Sequence, residues 1–321
     1  MKARFRPWKR LQENLPGSWK ARFVPGLDGV SWYQFLSFYL VRADREDIRM
    51  RASFMAFHFM LAIFPAIIFF FTLIAYLPFK EAHTDLLELV RRLMPQNAYK
   101  SLSETMEDIL SKQRGGLLSL GFLAAVYFST SAIDSMIRSF HKSLRIMDKR
   151  NFLKKKLYNV LLNLYFSFLL LLALVMITAG DAAFSWMRGH EFIGKELITY
   201  LGQGLNWLLV ILLIQLVISS LYRFGPFNRS RWPFINPGSI ASTLLILLMS
   251  FLLSLYVNQF NAYNKIYGSI GTLVVIMLWI YWNCVVTLIG FEFNIFLDQL
   301  RERKEQSRKQ MDKKLGNRMM E

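Results

Sequence analysis

Several charged residues lie inside or beside long apolar stretches, where ionisable side chains are rare. Asp134 lies in the segment STSAID, and Glu292 lies in GFEFN. An ionisable group in an apolar membrane segment is costly, so it usually faces a bundle interior, water or an opposite charge. Four further residues belong with these carboxylates as a candidate polar vestibule: Arg51, Arg138, Arg223 and Asn294.

The vestibule residues are compatible with two kinds of chemistry. In the first, carboxylates and arginines handle an anionic headgroup or a proton-coupled solute. In the second, they form ion pairs and snorkelling contacts that lock helices together, because a carboxylate near an interface costs much less than one at the midplane. Asp134 and Arg138 are four residues apart with the acid first, which favours an ion pair on one helix. The sequence leaves both alternatives open.

A second polar group follows the fifth apolar stretch and is a candidate outer polar turn. Its members are Tyr263, Asn264, Lys265, Tyr267 and Gly268. Amides and tyrosines in a turn can bind a polar solute, and they can also satisfy the turn's own backbone groups. The pattern does not decide between these two roles.

No catalytic pattern is present in the sequence. The four histidines are scattered singly, and the single cysteine, Cys284, cannot form an internal disulfide. No Cys/His cluster has metal-ligand spacing, and there is no HExxH motif, P-loop or glycine-rich dinucleotide loop. We therefore predict no catalytic residue, no metal, no cofactor and no enzymatic activity.

The composition indicates which elements must position these residues. Hydrophobic residues make up 54% of the 321 residues, yet the formal net charge is +17. Soluble domains reach about 45–50% apolar only when glycine is counted. A chain that is both this apolar and this basic is typical of a polytopic membrane protein, with apolar blocks separated by cationic loops.

Six apolar runs are long enough to span a bilayer as helices, which takes about 20 residues each. They cover residues 53–77, 117–137, 157–179, 201–222, 238–257 and 269–297. The predicted fold class is therefore all-α, a polytopic membrane helix bundle of six transmembrane helices. An even number of spans places both termini on the same side.

The loop cations predict which side that is. Of the 39 Lys and Arg residues, 30 fall in the terminal segments and the even-numbered loops, and 9 fall in the alternate loops. The positive-inside rule then predicts cytoplasmic termini. Attraction to anionic lipid of the cytoplasmic leaflet explains the basic charge, so no nucleic-acid partner is predicted.

Segments outside the spans have their own patterns. Residues 29–46, within a basic N-terminal segment 1–51, have the apolar spacing of an interfacial amphipathic helix. Residues 78–116 predict a small outer helical cap. Residues 298–321 form a charged cytoplasmic tail with almost no apolar stripe, for which we expect a frayed helix or disorder.

Five segments together resemble the YihY/BrkB family of bacterial inner-membrane proteins. They lie at residues 51–65, 128–132, 222–238, 263–281 and 290–294, and the last segment, GFEFN, resembles the family's most specific motif. Phe291 stands where the family often has alanine, and His58 where tyrosine is common. The resemblance implies six spans in a bacterial inner membrane with both termini in the cytoplasm.

The resemblance also brings a ribonuclease BN label, which we regard as a misassignment. A binuclear-metal nuclease needs a cluster of the HxHxDH type, and four isolated histidines cannot supply one. Serum resistance and transport of lipids or solutes are other activities suggested for the family.

These observations lead to three hypotheses. The first is a transporter-like protein for a lipid or an amphipathic or anionic solute. The second is a membrane scaffold or envelope-assembly factor that recruits partners through its basic ends. The third, a ribonuclease, is disfavoured. The sequence indicates no substrate identity, coupling ion, transport direction or oligomeric state.

Overall fold

The computed structural model describes residue 38 and residues 46–74, 115–145, 150–189, 195–226, 232–259 and 269–318. Within these ranges the chain forms six helices and no strand: α1 Glu46–Ile74, α2 Gly115–Leu144, α3 Phe152–Gly189, α4 Lys195–Phe224, α5 Pro237–Gln259 and α6 Ser269–Arg318. All six are long and apolar enough to cross a membrane. The all-α, six-helix prediction is confirmed.

The six helices form a closed ring. Each helix packs on the next one along the chain, and α6 packs on α1 to complete the circuit. The ring has a basic end, which holds the starts of α1, α3 and α5 and the ends of α2 and α4. We call the opposite portion of the helices the far half. The vestibule residues lie towards the basic end.

The main buried core lies towards the basic end, and α6 contributes many of its side chains. Residues 284–294 of α6 are buried without interruption. Phe291 is fully buried, and its ring stacks on that of Phe140 of α2 with centroids 4.1 Å apart. Tyr222 of α4 and Trp232, which precedes α5, meet the same ring edge-on. Aromatic side chains from several elements therefore close this end of the ring.

All six helices extend beyond the predicted spans at one end or both, and the extensions of α1 and α6 matter most. Helix α1 begins at Glu46, so Arg51 lies inside the helix rather than before it. Helix α6 continues to Arg318. Of the two alternatives expected for the tail, residues 298–318 are therefore helical rather than disordered. Helix propagation costs little once a long stable segment has nucleated, so a charged continuation can remain helical without an apolar face.

Other predicted segments fall mostly outside the described residues. The outer cap lies there apart from Gly115 and Gly116, and the interfacial helix lies there apart from Phe38 and Glu46. The Phe38 side chain is buried, and its ring lies 4.9 Å from that of Phe296 in α6.

Candidate functional site

An ion pair between the first and last helices lies at the centre of the basic end. The Nη2 atom of Arg51 is 2.6 Å from Oε1 of Glu292, and both side chains are less than one-tenth exposed. The Nη1 atom of Arg51 also donates to the carbonyl oxygen of Ser139 in α2, at 2.8 Å. One arginine thus connects α1 to both α2 and α6.

A serine and a surface ion pair extend this cluster. Ser143 accepts a hydrogen bond from Arg51 and donates one of 3.1 Å to Glu292 Oε1. Asp47 lies 3.0 Å from Arg51 and 2.7 Å from Lys142, on the exposed side. We call these five residues the Arg51–Glu292 cluster. Because its inner members are buried, its electrostatic interactions are screened much less than those of surface pairs.

Asn294 belongs to a different contact, the start of α5. Its Oδ1 accepts a 2.8 Å hydrogen bond from the backbone N–H of Gly238, and its Nδ2 donates to Asn236 Oδ1 at 2.6 Å. Asn236 is the N-cap of α5, because its Oδ1 accepts from the N–H of Ser239 at 2.9 Å and Pro237 occupies the first helical position. Asn294 therefore positions the cap of the neighbouring helix.

Asp134 lies at a third contact, between α2 and α3. Its Oδ2 accepts from Nε of Arg138 at 2.6 Å, and its Oδ1 accepts from Nδ2 of Asn159 at 2.7 Å. One turn away, Asn163 Nδ2 donates to Ser129 Oγ at 2.9 Å. The local ion pair that the spacing of Asp134 and Arg138 favoured is present in the structure.

Arg223 ties the end of α4 to the segment before α5. Its Nη1 donates to the carbonyl oxygen of Trp232 at 2.7 Å. The Trp232 indole N–H in turn donates to Asp298 of α6. The six vestibule residues thus fall into four separate sets of contacts, and the structure gives each carboxylate its own set of partners.

The candidate outer polar turn lies outside the described residues. Tyr263, Asn264, Lys265, Tyr267 and Gly268 remain a prediction from sequence. Two to three turns farther from this segment in each helix, Trp279 of α6 donates its indole N–H to Ser250 of α5 at 3.2 Å.

Comparison with known proteins supplies the family. The family description "Virulence factor BrkB" matches residues 39–315, which is most of the chain. The chain belongs to the BrkB family. This confirms the resemblance drawn from the five sequence segments.

Relatives of this BrkB protein carry membrane and ribonuclease-like names. It is 28% identical to the ribonuclease-like protein YfkH of Bacillus subtilis over 84% of this chain and 96% of that relative. It is 22% identical to a UPF0761 membrane protein of Psychromonas ingrahamii, over 85% of this chain and 90% of that relative. No solved structure matches the chain. Together with its six long apolar helices, the family places this chain among integral membrane proteins.

The structure gives a physical reason for two motifs of the BrkB protein, PG at residues 237–238 and GFEFN at residues 290–294. Gly238 and Gly290 face each other where α5 crosses α6. A Cβ on Gly238 would lie 2.2 Å from the Gly290 carbonyl oxygen, and a Cβ on Gly290 would lie 1.8 Å from Ser242 Oγ. Small residues at both positions allow the two backbones to approach closely, as is common between membrane helices.

Sequence reasoning missed the neutral polar residues that join the BrkB helices. Gln215 Nε2 donates to Ser239 Oγ at 2.8 Å, which links α4 to α5. The Tyr222 hydroxyl donates to the carbonyl oxygen of Thr287 and forms a second hydrogen bond, of 2.7 Å, with the Ser242 hydroxyl. The available signal was their spacing, because Gln215, Ser219 and Tyr222 recur on one helical face.

These polar contacts follow the two edges of the α3–α4 pair. The two helices pack extensively on each other and are joined by the hydrogen bond between Tyr165 and Ser220. Asn159 and Asn163 connect the pair to α2, and Gln215 connects it to α5. In this chain, side-chain hydrogen bonds therefore help to hold the α3–α4 pair against the other helices.

Proposed function

We propose that this protein is a transporter-like protein of the bacterial inner membrane. In this proposal it accommodates a lipid, or an amphipathic or anionic solute, between its helices and has no enzymatic activity of its own. The observation that carries the proposal is a change in burial along single helix faces: they are buried against neighbouring helices towards the basic end and exposed in the far half.

Helix α4 shows this change along one stripe. Leu208, Leu212, Gln215, Ser219 and Tyr222 recur with spacings of four and three residues, so they share a helical face. Ser219 and Tyr222 are fully buried against neighbouring helices, whereas Leu212 is 58% exposed. The face that packs on other helices towards the basic end is therefore uncovered in the far half.

Helices α3 and α6 show the same change. On α3 the stripe contains Asn159, Asn163, Phe166 and Leu170, and Leu170 is 57% exposed although Asn159 is buried. On α6 the stripe runs from buried Leu288 and Val285 to exposed Leu278 and Val274. In this proposal the exposed members line an interior space, and we call them the inward stripe: Leu170, Leu208, Leu212, Val274 and Leu278. An apolar interior of this kind suits acyl chains better than a polar solute.

The basic end, by contrast, is filled by side chains. The Arg51–Glu292 cluster and the rings around Phe291 fill the basic end, so passage there requires contacts between α6 and its neighbours to break. The excess of Lys and Arg at this end supports a cytoplasmic location. The protein would then be closed towards the cytoplasm.

A translocation assay tests the proposal with a matched pair of variants. Leu170 lies on the inward stripe, and Leu172 lies about 200° around α3 from it and is also exposed. In proteoliposomes, wild type should move a fluorescent phospholipid faster than protein-free vesicles do. Leu170→Gln should slow this movement several-fold because it places an amide in the apolar interior, and Leu172→Gln should not. Equal rates with wild-type and empty vesicles would contradict the proposal.

The scaffold hypothesis is a second candidate, favoured by the length of α6. Its apolar span ends near Glu302, and residues 303–318 continue the helix for about 24 Å. In this hypothesis the charged helix is the part of the chain that recruits the partner. The same assay with residues 303–321 deleted separates the two candidates. A transporter should translocate lipid at the wild-type rate without these residues. A scaffold should show no translocation with or without them.

A further inference from the structure

The contact between α2 and α3 contains two buried polar oxygens that the fold leaves unsatisfied. Thr130 and Asn159 are 7% and 3% exposed. Among the described residues, neither Oγ1 of Thr130 nor Oδ1 of Asn159 has a hydrogen-bond partner. A buried polar group without a hydrogen bond costs several kcal/mol in an apolar environment, so such an atom points to water or an ion that completes it.

Both residues are connected to Asp134, Asn159 by a hydrogen bond and Thr130 by its position one turn earlier on α2. Asn159 donates its Nδ2 to Asp134 Oδ1 at 2.7 Å, and a carboxylate can only accept, so the orientation of this amide is fixed. Thr130 precedes Asp134 by four residues on α2, which places the two side chains one turn apart on the same face. A carboxylate and a hydroxyl one turn apart on α2 are therefore combined with an amide from α3 that is hydrogen-bonded to the carboxylate.

This group has one negative charge, on Asp134, so a single positive charge balances it. Arg138 neutralises Asp134 with its Nε and Nη2, each 2.6 Å from Oδ2, but the Arg138 side chain is 61% exposed. The exposed guanidinium can move into water, but Asp134 is only 19% exposed and is costly to leave without a positive charge. Asp134 would then need a different cation.

We propose that Asp134, Asn159 and Thr130 bind a small monovalent metal cation such as Na⁺, in competition with the guanidinium of Arg138. Carboxylate, amide and hydroxyl oxygens are hard ligands that suit alkali and alkaline-earth ions, and the absence of sulfur or imidazole in this group argues against zinc. A single carboxylate matches a monovalent ion better than a divalent one.

The position of the site gives the cation a structural consequence. It joins α2 to α3, at one edge of the α3–α4 pair, so bound cation holds the pair against the rest of the ring. This inference does not depend on what the protein transports. If transport is confirmed, the site is the place where an ion gradient would act on the helix pair.

Thermal unfolding of the full chain in detergent tests the site directly. A ligand that binds only the folded state raises Tm according to its concentration and Kd. We expect NaCl to raise Tm by a few degrees in a saturable manner, with choline chloride at equal ionic strength as the reference. Tm shifts measured with LiCl and KCl show which cation size the site prefers.

Three variants assign the effect to these residues. Thr130→Val keeps the side-chain shape but removes the hydroxyl, and should weaken the cation dependence about tenfold. Ser129→Ala removes a neighbouring hydroxyl that Asn163 already uses, and should leave it unchanged. Arg138→Gln removes the competitor and should move the midpoint to lower NaCl concentration.

Two results would overturn the inference. One is an equal response of wild type and Arg138→Gln to NaCl and choline chloride. The other is a cation-specific response that persists unchanged in both Thr130→Val and Asp134→Asn, since the cation would then bind elsewhere. Neither result depends on translocation, so the site can fail while the proposed function stands.

Discussion

Replacing Arg51 with methionine should lower the free energy of unfolding by about 3–5 kcal/mol. The substitution keeps much of the side-chain volume but removes the guanidinium that balances the buried Glu292 carboxylate. A carboxylate in a low-dielectric interior is stable only if its charge is compensated. Equilibrium unfolding in mixed micelles, with SDS as the denaturant, measures the change.

Two controls separate charge balance from general damage. Lys142→Met removes an ion pair of the same cluster in which both side chains are more than half exposed, and should cost less than about 1 kcal/mol. The double variant Arg51→Met with Glu292→Met removes both buried charges and should recover much of the loss. If Arg51→Met proves as mild as Lys142→Met, the buried pair does not stabilise the closed end.

Gly238→Ala should cost about 3 kcal/mol, at the upper end for overpacking, because the added Cβ meets backbone. That Cβ would lie 2.2 Å from the Gly290 carbonyl oxygen and 2.6 Å from Asn294 Cγ, so α5 must move away from α6. Loss of the contact between Asn294 and the start of α5 should follow. The same unfolding measurement reports the change in stability.

The matched control is Gly204→Ala, within α4. No atom lies within 4 Å of a Cβ at that position, and alanine is favoured over glycine in a helix by up to about 1 kcal/mol. Gly204→Ala should therefore be neutral or slightly stabilising. Similar unfolding curves for the two alanine variants would show that the α5–α6 approach is not tight.

The sequence predicted the helices well because the bilayer imposes a length on every span. It also identified Asp134 and Glu292, since a charge within an apolar run is conspicuous. The partners were only partly predictable. Arg138 lies one turn from Asp134, so local spacing was enough, whereas Arg51 and Glu292 are 241 positions apart and meet only through the closure of the ring.

Other features gave weak signals in the sequence. Asn159 and Asn163 are neutral amides that barely change the hydropathy of a long apolar window, so their role between α2 and α3 was not evident. Leu170 on the inward stripe and Leu172 on the opposite face are the same residue type. Hydropathy cannot distinguish a leucine that faces lipid from one that faces an open interior.

The central claim is that the interior of the far half is open to an apolar ligand, and photo-crosslinking of a lipid tests it most directly. In proteoliposomes containing a phospholipid with a diazirine on its acyl chain, adducts can be mapped by mass spectrometry. The account predicts adducts at Leu170 and Leu212 as well as at outward-facing Leu172, and none at buried Leu288. Adducts confined to outward-facing residues, with none on the inward stripe, would contradict it.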